Sequence, residues 1–145
     1  MASRFVAVYH DAGTGEFSRG ALIQALAASF AERARVRRID AAEICGSDAW
    51  HASTALLAIP GGADLPYCER LGGAGNASIR RYVAEGGAFL GVCAGAYYAC
   101  ARLGFEARSP GAITGAWSCS RFGSGSTSAP SCVTFVMPRP SGFAA

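Results

Sequence analysis

The segment that most constrains the fold is GGAFLGVCAGAYYA, residues 86–99, in which an apolar stretch runs into a cysteine between two glycines. The apolar stretch predicts a buried β-strand, and the residues after Cys93 predict a helix that extends to about Leu103. Such a sharp turn needs small neighbours, because side chains on Gly91 or Gly95 would meet nearby backbone. The pattern predicts an elbow that holds Cys93 above the carboxyl edge of a sheet, where open α/β sheets bind ligands.

The cysteine itself has two interpretations. As a functional group, the Cys93 thiol would lie at a helix N-terminus, where unpaired N–H groups stabilise a thiolate. As a packing residue, it would be a buried, inert cysteine that precedes a helix of small residues. The two bracketing glycines favour the exposed elbow, with Cys93 in the position of a nucleophile.

A second Gly-rich stretch, PGGADLPY at residues 60–67, follows another apolar strand and is predicted to reach the same edge of the sheet. The N–H groups of Gly61, Gly62 and Ala94 could then form an oxyanion hole over the Cys93 sulfur. Taken alone, the stretch could also be a plain Pro-Gly turn. The side chains expected to line the ligand side of this edge are Asp64, Tyr67, His10, Asp11 and Tyr97.

Strands alternate with helices along most of the chain, which predicts βαβ units and an α/β fold with a parallel sheet. The predicted strands are residues 4–9, 36–39, 54–59 and 88–92. The predicted helices begin at Ser18, Asp40 and Asn76, each of which can cap a helix N-terminus.

Composition excludes several classes of function. All thirteen basic residues are arginine, so a Walker-type phosphate loop and a Schiff-base lysine are both excluded. A net charge of +3 with mostly scattered charges gives no basis for nucleic-acid binding. Six cysteines without a CxxC spacing and only two histidines argue against a structural zinc site. We expect no metal and no other cofactor.

The location of the protein is predicted from apolar runs. None approaches the ~20 residues that a membrane-spanning helix needs, and the N-terminal run is too short for a signal-peptide core. We therefore expect a cytoplasmic protein with no membrane partner and with reduced cysteines.

Two long motifs, PGGADLPY and GGAFLGVCAGAYYACARLGFE, closely resemble the N-terminal domain of eukaryotic-type biotin–protein ligases and its stand-alone bacterial relatives. The stretch YHDAGTGEFSRGALIQAL also looks like the opening strand, loop and helix of that family, and the resemblance covers residues 4–106. It implies a flavodoxin-like parallel sheet with helices on both faces, similar to class I glutamine amidotransferases. It also implies that Cys93 takes the nucleophile position and that Gly61, Gly62 and Ala94 take the oxyanion positions.

The chain departs from the amidotransferase pattern in the partners of its cysteine. Those enzymes use a Cys-His-Glu triad with His and Glu downstream, but no histidine follows Cys93 here. In a related cysteine-hydrolase branch the His directly follows the Cys, and that position is Ala94. A flavodoxin-like order places His10 two strands away, about 10 Å, which suits a loop residue better than a base. His51, beside Trp50, is expected to be a surface or packing residue.

Three functions stay open at this stage. The preferred one is a binding domain that keeps an amidotransferase-type pocket around Cys93 and takes a small amide or carboxylate without full turnover. The second is a cysteine-dependent amidotransferase or amidohydrolase that acts through a Cys93 thiolate. The third is a domain that docks a protein partner, which the sequence does not identify. Biotin transfer is not expected, because in the family it belongs to a separate domain with a Gly-Arg-rich loop that this chain lacks.

The sequence also predicts two regions. Residues 1–108 are expected to form the amidotransferase-like domain, and residues 109–145 a low-complexity tail that is disordered or the product of a frameshift, so that the sheet is cut short. The alternative is a divergent tail in which Trp117, Phe122 and residues 132–137 pack on the sheet edge. In that case residues 132–137 could form one last strand.

Overall fold

The computed structural model describes residues 4–99 and three further strand segments, residues 102–103, 126–127 and 133–136. Four parallel strands form the centre of the fold: β1 (Phe5–Tyr9), β2 (Arg35–Ile39), β3 (Thr54–Ile59) and β4 (Ala88–Val92). Their order in the sheet is β2-β1-β3-β4. The sequence predicted all four to within one residue at each end, and the α/β class and the parallel pairing are confirmed.

Helices cover the two faces of this sheet, and each face has its own core. The helices are α1 (Glu16–Phe30), α2 (Ala41–Gly46), α3 (Ala49–Ser53), α4 (Asp64–Leu71), α5 (Ala74–Ala84) and α6 (Ala94–Ala99). Val6 and Val8 of β1 pack with Leu26 of α1 on one face. Ala7 and Tyr9 point to the other face, because side chains alternate along a strand, and they join the core formed with α2 to α6.

Two predicted helix starts are wrong. Helix α1 begins at Glu16 with Gly15 at the N-cap position, so Ser18 lies inside its first turn. Helix α5 begins at Ala74 after Gly73, and Asn76 is a buried residue whose side-chain oxygen accepts a hydrogen bond from the Tyr98 hydroxyl. In both cases glycine precedes the helix and the polar residue serves a tertiary contact instead.

The predicted cap at Asp40 is confirmed, because its carboxylate accepts a hydrogen bond from the Glu43 N–H at 2.8 Å. The Gly-rich stretch after β3, residues 60–67, contains the start of helix α4 at Asp64. The helix predicted to reach Leu103 is also wrong at its end, since Arg102–Leu103 form strand β5, paired with β6 (Ser126–Thr127).

Strand β7 (Val133–Val136) pairs with the outer edge of β4 in the antiparallel direction. The last strand suggested for residues 132–137 is thus confirmed, and it makes the sheet five-stranded and mixed. The other expectations for residues 109–145, including the packing of Trp117 and Phe122, lie outside the described residues. The domain boundary near residue 108 stays a prediction.

The cysteines differ in state. Cys45 and Cys93 are free thiols, whereas Cys68 on α4 is disulfide-bonded. The expectation of reduced cysteines is therefore wrong at Cys68. Over the described part of the chain, every helix is too short or too polar to cross a membrane.

Candidate functional site

Cys93 lies between the end of β4 and the start of α6, at the carboxyl edge of the sheet. Its φ is +51°, and among the described residues it is the one non-glycine residue with a positive φ. This left-handed region crowds the Cβ of an L-residue and costs roughly 1–2 kcal/mol. The N–H groups of Ala96 and Tyr97 donate to the Cys93 carbonyl at 2.9 and 3.0 Å, which holds the turn in place. The thiol is exposed and free.

The two glycines beside Cys93 are required by close backbone approach. A Cβ on Gly95 would lie 2.1 Å from the carbonyl oxygen of Ile59 in β3. A Cβ on Gly91 would lie 2.5 Å from the carbonyl oxygen of Gly95. Both obstacles are backbone atoms, which cannot rotate away as a flexible side chain would. The physical reason that the sequence suggested for these glycines is confirmed.

The loop after β3 is bonded to the loop after β1. The N–H of Gly15 donates to the Gly61 carbonyl at 2.9 Å, and the N–H of Ala63 donates to the Gly13 carbonyl at 2.8 Å. Gly62, between these two bonds, has a φ of +155°, and a Cβ there would lie 1.9 Å from the Gly13 oxygen. The two loops therefore form one fixed platform next to Cys93.

Ser18 is a residue of this site that sequence reasoning missed. Its Oγ accepts a hydrogen bond from the Gly61 N–H at 2.9 Å. A Cβ built on Gly61 would lie 2.8 Å from the Ser18 Oγ and 3.3 Å from the Cys93 Cβ, so all three residues converge on one point. The role of Ser18 could be anticipated only from the topology. Strands β1, β3 and β4 are neighbours in the sheet, so the segments that follow their carboxyl ends lie close together.

The three predicted oxyanion donors are in different states. The N–H of Gly61 is engaged by Ser18. Over the described residues, no acceptor is assigned to the N–H of Gly62 or of Ala94. An oxyanion role for Gly61 would require its bond to Ser18 to break.

Tyr67 braces the loop from within. It is fully buried, and its hydroxyl donates to the Pro60 carbonyl at 2.9 Å, with the Gly61 carbonyl at 3.3 Å. Burial, and then the negative potential of nearby Cys93 and Asp64, raises the pKa of Tyr67 well above its usual value. The residue thus supports the platform through its hydroxyl, and half-buried Asp64 lies near it on the first turn of α4.

Asp11 ties elements together and has its acceptor capacity in use. Its carboxylate accepts from the N–H groups of Ala12 and Ala41 at 2.7 and 3.1 Å. It also forms a two-point ion pair with Arg70, with both distances at 3.2 Å. Burial alone would raise the pKa of Asp11, but these hydrogen bonds outweigh it and lower the pKa.

The other two predicted residues differ in position. Tyr97 is half-buried on α6, one turn after Cys93. His10 follows β1, and β3 separates that strand from β4, so His10 is two strands from Cys93 as expected. Its Nδ1 is buried without a hydrogen-bond partner among the described residues.

His51 lies at the opposite, amino edge of the sheet, in α3 just before β3. Its Nδ1 is 3.1 Å from Glu85 Oε2, and its Nε2 is 3.1 Å from Ser78 Oγ. Ser78 donates to Asp48 at 2.6 Å, and Arg81 makes two bonds to Asp48 at 2.8 and 2.9 Å. His51 is therefore a half-buried network residue, and it cannot serve Cys93.

A cavity of about 360 Å³ opens beside this network. It is lined by Arg4, Asp48, His51, Ala52, Thr54, Tyr82, Glu85, Gly86 and Gly87. Within the described part of the chain, no group of three or more His, Cys, Asp or Glu side chains is arranged to hold a metal ion.

A model of the family described as "Biotin-protein ligase, N terminal" matches residues 4–130. The chain belongs to this family. This match extends past residue 106, where the resemblance identified from the sequence motifs ends.

Two curated proteins are similar to this chain in sequence. An uncharacterized protein from Chlamydia muridarum (strain MoPn / Nigg) is 42% identical over 106 residues, which cover 72% of this chain and 41% of that protein. A biotin–protein ligase from Schizosaccharomyces pombe is 34% identical over 101 residues, which cover 70% of this chain and 16% of the ligase. The chain thus spans less than half the length of either relative. No solved structure matches it.

Proposed function

We propose that this domain binds a small molecule through a carbonyl or carboxylate group at the Cys93 site, without full catalytic turnover. The observation that carries the proposal is the exposed Cys93, held at φ +51° against a fixed platform. The N–H groups of Gly62 and Ala94, which have no assigned acceptor among the described residues, add hydrogen-bond donors at the same edge. Hydrogen-bond donors without an acceptor favour a ligand that carries an oxygen acceptor.

The fold supports this location. The strand order β2-β1-β3-β4 is the order with which flavodoxin-like and class I glutamine amidotransferase sheets begin. In such sheets the ligand lies outside the carboxyl ends of the strands, where Cys93 is found. We further propose that this turn acts as a nucleophile elbow.

Lack of turnover is proposed because, among the described residues, no histidine is placed beside Cys93 to act as its base. The sequence contains two histidines. His51 belongs to the network at the opposite edge, and His10 is two strands away. A cysteine nucleophile is ordinarily activated by an adjacent base or a strong local field.

Two alternatives each have one supporting observation. A cysteine-dependent amidohydrolase is favoured by the exposed thiol in a strained turn. A partner-docking domain is favoured by Phe17 and Leu65, whose side chains are 90% and 47% exposed at the first turns of α1 and α4. The ligase activity of the fission-yeast relative is not proposed for this chain, which spans 16% of that protein.

The test is protection of the thiol. We expect iodoacetamide to label Cys93 faster than half-buried Cys45, as followed by peptide mapping. Glutamine, glutamate and biotin would be the first probes, and a bound probe should slow labelling of Cys93 while Cys45 serves as the internal control.

The outcomes separate the three functions. Protection without a covalent adduct supports the binding domain. A mass increase on Cys93 after incubation with an amide shows the hydrolase instead. Neither protection nor adduct with any of the probes contradicts both and leaves the docking domain.

A further inference from the structure

We infer that Ser18 is a ligand-binding residue of the Cys93 site and donates its hydroxyl proton to an oxygen of the ligand. The inference rests on the proposed function and narrows the ligand to one that presents a hydrogen-bond acceptor.

The position of Ser18 follows from the fold. The residue lies in the first turn of α1, and its Oγ is held at 2.9 Å by the Gly61 N–H. The point that a Gly61 side chain would occupy is 2.8 Å from this Oγ and 3.3 Å from the Cys93 Cβ. Because Gly61 has no side chain, it places no atom at the point between the Ser18 hydroxyl and Cys93.

The hydrogen-bonding capacity of this hydroxyl is only partly used. A serine hydroxyl has one proton to donate and two lone pairs to accept with. The Gly61 N–H takes one lone pair, while no acceptor for the proton is assigned within the described residues. Ser29, on the same helix, shows the usual alternative: its hydroxyl donates back to the Ala25 carbonyl at 2.8 Å. Ser18 therefore keeps its proton available beside the thiol.

The Gly61 N–H also makes this proton a better donor. A hydroxyl that accepts one hydrogen bond is polarised, so the bond that it donates becomes stronger. Gly61 thus contributes to ligand binding indirectly, through its hydrogen bond to Ser18. The N–H groups of Gly62 and Ala94 have no assigned acceptor in the described structure. All these groups are neutral donors, which fits a carboxamide or carboxylate oxygen and does not fit an amine.

The inference is tested by the chemistry of two alkylating reagents on the whole chain. Iodoacetamide carries a carbonyl oxygen, and bromoethylamine carries an amine and no carbonyl. We expect Ser18→Ala to slow alkylation of Cys93 by iodoacetamide about tenfold, the usual effect of one lost hydrogen bond. Alkylation by bromoethylamine should change much less, so the ratio of the two rates is the readout.

The controls separate hydrogen bonding from folding. Ser18→Thr keeps a hydroxyl and should retain the preference for iodoacetamide, and Ser29→Ala removes a serine from the same helix away from the site and should change neither rate. If Ser18→Ala leaves the ratio of the two rates unchanged, whether both rates fall equally or neither falls, the inference is overturned. A Cys93 that reacts with neither reagent would also overturn it. Failure of every probe to protect Cys93 would contradict the proposed function alone, because the ratio needs no bound ligand.

Discussion

Cys93 can keep its left-handed backbone conformation because Gly91 and Gly95 have no side chains. At both positions the chain passes so close to other backbone atoms that a Cβ would clash with them. Gly95 is the tighter position, since an added Cβ would lie 2.1 Å from the Ile59 oxygen. We expect Gly95→Ala to lower the free energy of unfolding by about 2–4 kcal/mol, because β3 and α6 must separate to admit the methyl group. Urea denaturation followed by circular dichroism measures this change.

The matched control is Gly20→Ala. Gly20 lies inside α1, and a Cβ there would meet no atom within 4 Å. Alanine favours helix over glycine by about 1 kcal/mol, so this variant should be as stable as the parent or more so. Equal stability of Gly95→Ala and Gly20→Ala would show that the turn at Cys93 tolerates a side chain and is looser than the structure indicates.

The residues of this turn were predictable because their signal is local. A strand, Gly91, Cys93 and Gly95 stand together in the sequence. Ser18 was not predictable in this way, because its role depends on Gly61, 43 residues away in the chain. Asp11 was expected at the ligand side for its chemistry alone, and its partner Arg70 lies 59 residues away.

Between the elements, α3 and α5 are joined by a polar network centred on Asp48. Hydrogen bonds from Arg81 and Ser78 lower the pKa of Asp48 from its usual 3.8 to about 2. The depressed pKa means that the ionised carboxylate stabilises the fold above about pH 4, and that this contribution is lost as the pH falls toward about 2. We expect the unfolding temperature of the parent to fall more steeply over this interval than that of Asp48→Asn.

A suitable control is Glu32→Gln, which removes an exposed carboxylate without an assigned ion pair among the described residues. Its unfolding temperature should follow the parent curve. Parallel curves for the parent and Asp48→Asn would show that the network does not hold α3 against α5.

Among the elements, strands were predicted better than helix starts. β3 is a short apolar run between Ser53 and Pro60, and β4 is one between Gly87 and Cys93. Burial between two helical layers leaves few other structures for such runs. Helices α1 and α5 start after Gly15 and Gly73, so the polar residues expected to cap them lie inside. Ser18 and Asn76 make their hydrogen bonds to distant residues, which no local pattern reveals.

For the whole molecule, the open question is where the sheet ends. The sequence predicts a boundary near residue 108, because composition changes there to Ser, Gly, Pro and Ala. The structure pairs β7 with the outer edge of β4, from Phe89 opposite Val136 to Val92 opposite Val133. β7 therefore covers the edge of the strand that leads into Cys93.

We expect a chain that ends at residue 108 to melt at a lower temperature than the full chain and to associate with itself, because it leaves the β4 edge unpaired. A chain that ends at residue 137 keeps β7 and is the control for loss of length, and it should melt like the full chain. Thermal unfolding and size-exclusion chromatography at several concentrations would measure both effects. If the chain that ends at residue 108 is monomeric and as stable as the full chain, β7 adds nothing to the sheet, and the boundary predicted from composition is the correct one.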